Sequence, residues 1–551
     1  MREYNVLLFA CLPLRRTGKV PANLPSVSSP EEKVNMPEFT TWLMLAALGM
    51  LAWDCLEVGK NDAANLINGV FGARVLTRRA AVWLAGGAVL LGALFAAPVM
   101  ETARQGLFDP GRLTLHQAMV VYVSAYIVDT ALLHAYSAYG MPVSTTASLV
   151  FELVGAAIGV SLSLGLVHWG KVSSVLNAIG MSILLSGVAG FLFQRIFRAA
   201  IRDEHADHMR VLLHGPWVAG LMLTGMAWFL VLKGMKAVPW VAAFRVQIVE
   251  RMGTGAFLLV GWGALTLLVH LLATVFQERL TRRLFGLLAV LGMLCLAFAF
   301  GQNDLANGAS PGLSAFWLWK HADASTAAAT RMPIPVWLLA ACGLLMVAGM
   351  GTSGAQRVTR AAVNTGSQYD HIALYAPRWC RALARWLLRL RPAGPELAPP
   401  AHVDPRGKRI HFDPLRAAVI MFVSAGVIAF ASSNGFPVST TYVTFAAVVA
   451  TGMGDRTMAR GDADLKIGRA IWVVFSWFSG GLLAMAAAAL AAVLLLHAGT
   501  AGLLAALAAN LVLRAAVRRT ADRHEQRYHP RIPPGDAPPP PDSLGCSPAA
   551  R

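Results

Sequence analysis

Gly59-Lys60-Asn61-Asp62-Ala63-Ala64-Asn65, lying in an otherwise apolar run, returns as Gly301-Gln302-Asn303-Asp304-Leu305-Ala306-Asn307. A second stretch, Gly140-Met141-Pro142-Val143-Ser144-Thr145-Thr146, returns as Gly435-Phe436-Pro437-Val438-Ser439-Thr440-Thr441. Ahead of it, Phe108-Asp109-Pro110 returns as Phe412-Asp413-Pro414. The order is the same in both halves, which chance does not produce. Polar motifs duplicated inside apolar sequence predict two structural repeats that meet at a shared site near the middle of a bilayer.

The composition agrees. Of 551 residues 56% are hydrophobic and 14% charged, where a soluble domain carries about 25% charged residues. Ala81–Pro98, Val218–Leu232, Ala256–Phe276, Leu284–Phe300, Val336–Gly349 and Ile471–Leu496 are each nearly uncharged. Crossing a bilayer as helix takes ~20 apolar residues, because the backbone has no water to bond there. The runs predict an all-α polytopic membrane protein of about ten to twelve transmembrane helices in two inverted repeats, with re-entrant or broken helices at a central site. A multi-pass protein of the inner or plasma membrane is expected, with the lipid bilayer as its partner.

The formal net charge of +18 does not imply nucleic acid. Arg74, Arg78 and Arg79, then Arg195, Arg198 and Arg202, then Arg279, Arg282 and Arg283 cluster in short loops beside apolar runs, as the positive-inside bias produces. The six cysteines form no CxxC pair, so neither a disulfide framework nor a zinc site is indicated.

Residues 1–36 read as a disordered leader, with Met36 an alternative start. Its apolar run Val6–Leu14 is too short to span. Residues 37–200 form the first repeat, 201–283 a connecting loop and helices, and 284–513 the second repeat. The second repeat includes a cytoplasmic polar insert, 352–412, with ten Arg or Lys residues against three acids. Within the insert, Trp379, Leu383, Trp386, Leu387 and Leu390 share one helical face and Arg378, Arg381, Arg385 and Arg389 the opposite one. Such a helix lies in the membrane interface or packs on the protein's own cytosolic face. Residues 514–551, basic and then Pro-rich, are expected to be a disordered tail.

An aspartate at membrane depth costs ~3 kcal/mol or more unless it is paired or faces a polar cavity, so two embedded copies point to function. The i, i+1, i+4 spacing lets Asn61 or Asp62 share a face with Asn65, and the motif glycine permits a break in the helix. Pro-Val-Ser-Thr-Thr reads as a hairpin tip: Gly and Pro stop one segment, and Ser or Thr caps the next half-helix. Free N–H groups and the positive dipole end make such a terminus an anion site. Two facing tips, with hydroxyls from Ser144, Thr145, Thr146, Ser439, Thr440 and Thr441, would surround a tetrahedral oxyanion. The aspartates would repel that anion unless each holds a cation, is protonated during transport, or accepts a hydrogen bond from a protonated ligand. Phosphate can donate such a bond and sulfate cannot.

These motifs resemble those of the inorganic phosphate transporter family, whose signature is a duplicated Gly-x-Asn-Asp-x-x-Asn with a duplicated Pro-x-Ser-Thr-Thr. The likeness covers most of residues 40–500. It implies uptake of inorganic phosphate by symport with a cation, Na+ or H+, no cofactor and no enzymatic activity. On matching positions it implies phosphate binding by Asn65, Asn307 and the two Ser-Thr-Thr tips, and cation coupling by Asn61, Asp62, Asn303 and Asp304, with no metal beyond Na+. A homodimer is compatible with it. The chain departs from the family at four places: Ala147 and Tyr442 where many relatives have His, Val89 where some have an intramembrane Glu, Lys60 inside the first motif, and the in-span charges Asp129 and Glu152.

Lys60 either neutralises bound phosphate or pairs with Glu57 at i, i+3. Asp129 and Glu152 are either relay groups or a hydrogen-bonded pair reaching His134. His205, His208 and His214 lie in a basic loop, as solvated side chains rather than metal ligands. A sulfate or other oxyanion permease uses the same tips. An intramembrane aspartyl protease, suggested by the literal Gly-x-Gly-Asp at Gly452–Asp455, would not need aspartates set in matched Asn-rich repeats.

Overall fold

The computed structural model describes residues 36–97, 100, 107–108, 112–202, 208–235, 238–321, 334–368, 374–389, 410–434, 438–457 and 462–528. The leader before Met36, Asp109–Pro110, His205, the first three residues of the second tip and the Pro-rich end lie outside the described residues. Among the described residues the chain is helical, with one isolated bridge between Phe108 and Val167.

Helices α1 (Met36–Gly72), α2 (Arg78–Ala93), α3 (Leu115–Ala138), α4 (Thr145–Ser161) and α5 (Trp169–Ala200) build the first half. Helices α6 (His208–Ala227) and α7 (Thr254–Phe276) connect it to the second. That half comprises α8 (Leu284–His321), α9 (Val336–Met350), α10 (Ser353–Thr365), α11 (Arg378–Arg389), α12 (Pro414–Ser433), α13 (Thr440–Gly454) and α14 (Ala463–Tyr528). Caps written in the sequence set the starts: Thr114 and Gln117 close a capping box on α3, Thr352 caps α10, and Asp413 caps α12 ahead of Pro414.

Among the described residues eight helices are long and apolar enough to cross a membrane, nine if the bent pair α9–α10 (66°) is one span. As a straight rod the 66 residues of α14 would be about 100 Å long, some three times a ~30 Å hydrocarbon core. The helix instead breaks at Gly499 (φ 55°, ψ −132°), and Gly502 comes back against the Leu494 carbonyl. The chain is a multi-pass membrane protein. Burial orders the spans: 94% of the apolar window of α12 is enclosed by protein and 11% of that of α7, so α12 is central and α7 peripheral.

Two expectations need correction, and the polar insert adds a feature that its composition does not show. The motif glycines do not break their helices: α1 and α8 run uninterrupted for 37 and 38 residues with the motifs inside them. They serve packing. A Cβ at Gly59 would sit 1.9 Å from the Met346 carbonyl oxygen on α9, and one at Gly301 2.2 Å from that of Val89 on α2, so only glycine admits these backbones to each other. Next, the polar insert is not all surface: α10 buries Ala355, Val358, Ala362 and Val363, and Gly354 lies against the stem of Lys60 on α1. Last, residues 514–528, assigned to a disordered tail, are helical to Tyr528, held where Asp522 and Glu525 pair with Arg357 and Arg360.

The amphipathic helix packs on the protein and leaves its apolar face exposed. On α11, Cys380 and Ala384 are buried, whereas Trp379, Leu383, Trp386 and Leu387 stay exposed and Arg381 pairs with Asp464 at 2.9 Å. It packs by one edge and offers its apolar face to the interface.

Candidate functional site

The four motif copies converge. Ser144 and Ser439 cap α4 and α13, each accepting the backbone N–H three residues on (Ala147, 3.0 Å; Tyr442, 3.1 Å). The cap uses the third N–H of each helix, so those of Thr145, Thr146, Thr440 and Thr441 have no partner within the helix. The two termini face each other: the Thr441 hydroxyl lies 3.0 Å from the Val143 carbonyl, and Thr146 donates to that of Val438 at 3.0 Å.

Each helix carrying an Asn-Asp motif braces the tip of the other half. Asn65 donates to Thr441 (2.9 Å) and to Asp62 (2.7 Å), and the Thr441 hydroxyl reaches Asp62 at 2.8 Å. In mirror fashion Asn307 donates to Thr146 (2.7 Å) and to Asp304 (3.3 Å), and Thr145 donates to Asp304 (3.2 Å). Asn61 holds the first tip through the Val143 N–H (2.9 Å) and the Met141 carbonyl (3.2 Å), and Asn303 donates to the Val438 carbonyl (2.9 Å). All of the residues Asn61, Asp62, Asn65, Ser144–Thr146, Asn303, Asp304, Asn307 and Ser439–Thr441 are buried.

One oxygen of each central aspartate stands apart. Among the described residues, Oδ2 of Asp62 and Oδ2 of Asp304 are buried without a hydrogen-bond donor, while their Oδ1 atoms take two or more. A buried carboxylate oxygen without a donor calls for a proton or a cation. Together the arrangement supplies paired helix N-termini and hydroxyls for an oxyanion, with bare carboxylate oxygens beside them for a cation.

The accessory residues lie behind the first copy. Lys60 is not at the tips: its ammonium pairs with Glu57 (2.7 and 3.0 Å) and meets His134 at 3.2 Å. Glu57 also pairs with Arg514, whose guanidinium lies 4.2 Å over the Trp53 ring. Asp129 accepts from Ser148 at 2.8 Å and lies against the carboxyl groups of both Asp54 and Glu152. None of the four oxygens of Asp54 and Glu152 has a donor among the described residues. Asp54, Glu57 as a hub, and Arg514 lie outside the duplicated motifs and join the site only in the fold. Their signal is their charge, since ionisable residues inside an apolar run are functional by default. Asp455 of the protease-like motif is held by Arg198 and Gln194, each at 2.9 Å, far from Asp62 and Asp304 in role and surroundings.

Known proteins resemble this chain in sequence and in fold. The model of the "Phosphate transporter family" matches residues 58–366 and 404–513. A "Putative phosphate permease" of Pyrococcus abyssi is 27% identical over 79% of this chain and 94% of its own length. One of Thermococcus kodakarensis is 28% identical over 79% and 93%. A solved structure, "The sodium-dependent phosphate transporter", has the same fold with a TM-score of 0.60 at 22% identity, over 83% of this chain and 99% of that one. With a family model that matches most of its length and a matching fold, this chain belongs to the phosphate transporter family.

Proposed function

We propose that the chain imports inorganic phosphate across the cell membrane by symport with a cation, phosphate lying between the two Ser-Thr-Thr tips and the cation on Asp62 and Asp304. The observation that carries this is the pair of buried, donor-free Oδ2 atoms set beside two facing helix N-termini. The tips favour an anion. The bare oxygens favour a cation or a proton, so each ligand screens the other's charge and both move together. Asn65 and Asn307, now bonded to threonine hydroxyls and aspartates, would turn those donors to the phosphate oxygens. Asn61 and Asn303 fix the tips through backbone groups and complete the cation's surroundings.

Asp54, Asp129 and Glu152 form an accessory cluster one helical turn from the first tip through Ser148. Three carboxyl groups in one buried space cannot all be ionised without protons or a cation among them. The repeat order supports alternating access by two inverted halves, and a homodimer is compatible with the exposed apolar faces.

Uptake of labelled phosphate into proteoliposomes, with sodium and proton gradients imposed separately and sulfate as competitor, tests the proposal. Gradient-driven phosphate flux that excess sulfate leaves unchanged is expected. Flux abolished by sulfate, or no phosphate flux under either gradient, would sink it and favour the sulfate permease.

A further inference from the structure

At the Arg-rich face, the end of α14 closes over a cavity of about 250 Å³ lined by Arg357, Arg360, Asn364, Arg469, His524 and Glu525, among others. Two of its three guanidinium groups are met by carboxylates. Arg357 pairs with Asp522 (2.8 Å) and Glu525 (2.6 Å), and Arg360 with Glu525 (3.0 Å). Arg469 differs. It is 4% exposed, and its guanidinium donates to two backbone carbonyls, Gly140 (3.0 Å) and Tyr375 (3.2 Å), with no carboxylate partner among the described residues. A buried cation answered only by dipoles is uncompensated charge. Guanidinium forks match the oxygens of a tetrahedral oxyanion in pairs.

We propose that this cavity is a second oxyanion site, of the phosphate class. The ligand takes the place of the Glu525 carboxylate between Arg357 and Arg360 and gives Arg469 the counter-charge it lacks. Arg469 also grips Gly140, whose backbone turns through φ +63° at the start of the first tip, four residues before Ser144. Occupancy therefore bears on the hold over that tip. This coupling rests on the transport function proposed above; the binding does not.

A free phosphate ion and a phospholipid headgroup share the required chemistry. The test is equilibrium binding of labelled inorganic phosphate to the full chain in phosphatidylcholine nanodiscs. Wild type should show two classes of site. Arg357→Gln with Arg360→Gln should lose one class and keep the other. Glu525→Gln should tighten that same class roughly two- to fivefold, the factor a half-exposed ion pair is worth, a gain that misfolding cannot mimic. Replacing part of the phosphatidylcholine with phosphatidylglycerol separates the sources. Competition at that class assigns the site to the headgroup, and its absence assigns it to free phosphate. Stoichiometry and affinity unchanged by both the double variant and Glu525→Gln would overturn the proposal. Loss of the other class alone, with the cavity class intact, would count against the central site and leave this one standing.

Discussion

Around Asp62 the first half places Asp54, Glu57 and Lys60 on α1, Asp129 on α3 and Glu152 on α4. At the corresponding positions around Asp304 the second half has Leu296, Ala299, Gln302, Ser424 and Ala447. The Asn, Asp and Ser-Thr-Thr residues, by contrast, occur in both halves and brace each other reciprocally. What is duplicated belongs to the shared site, which each half must build in the same way. What occurs once marks where the two halves differ. The acids around Asp62 therefore give the two central aspartates unlike surroundings, polar and ionisable on one side and apolar or neutral on the other.

The largest expected effect lies on the one-sided part. Glu57→Gln leaves Lys60 and Arg514 facing each other without the carboxylate that now joins them. Breaking a buried ion pair from one side costs ~3–5 kcal/mol, so the variant should unfold in detergent at a clearly lower temperature. Leu296→Met, a volume-conserving change at the second-half counterpart of Asp54, disturbs no ion pair and should lose less. Equal losses in the two would show that Glu57 acts through packing, and the contrast between the halves would fall.

The central aspartates should behave alike. Asp62→Asn and Asp304→Asn each remove a charge that the site cannot replace, worth ~3 kcal/mol as a charged hydrogen-bonding partner, or on the order of 100-fold in phosphate uptake. Measured initial rates in proteoliposomes decide it. A variant that kept more than about a tenth of the wild-type rate would break the equivalence and assign the cation to the other aspartate.

The motif glycines give a smaller, structural version of the same test. Gly59→Ala and Gly301→Ala each drive a methyl group into a backbone carbonyl of the other helix pair, and overpacking of this kind costs ~1–3 kcal/mol. Matching losses of thermal stability would show that α1–α9 and α2–α8 are equivalent joints. A large loss in one alone would mark the joint that stays closed throughout the cycle.

Much of this architecture was legible in the sequence because its signals are local. Duplicated motifs, uncharged runs and caps such as Ser144, Ser439 and Asp413 are read along the chain, and the Lys60–Glu57 pair follows from i, i+3 spacing. The part that was not legible depends on partners far apart in the chain. Arg514 meets Glu57, Arg469 meets Gly140, and Arg416 is buried against Thr451 and the Val448 carbonyl. The motif glycines were misjudged for the same reason. A glycine in an apolar helix permits either a kink or a close neighbour, and only the neighbouring helix decides which.

The smallest expected effect asks whether the symmetry extends to the loops. Asp413 caps α12 by accepting the Arg416 N–H at 2.8 Å, takes a bond from Gln368 at 2.8 Å and pairs with Arg198. Burial alone would raise its pKa, but the Arg198 guanidinium and the donated N–H groups outweigh this and hold the carboxyl below its ordinary range. A folded-state value below the unfolded one, near ~3.9, contributes stability at pH values above that and loses it as pH falls through the folded value. Asn caps a helix about as well as Asp, so Asp413→Asn isolates the charge. The variant should be less stable than wild type by ~1 kcal/mol at pH 7, as a partly buried pair is worth, and the gap should close below about pH 4. Asp109 precedes Pro110 as Asp413 precedes Pro414. The same pH-dependent gap in Asp109→Asn would carry the repeat symmetry out to the loops. A gap that does not vary with pH would confine it to the helices that hold the site.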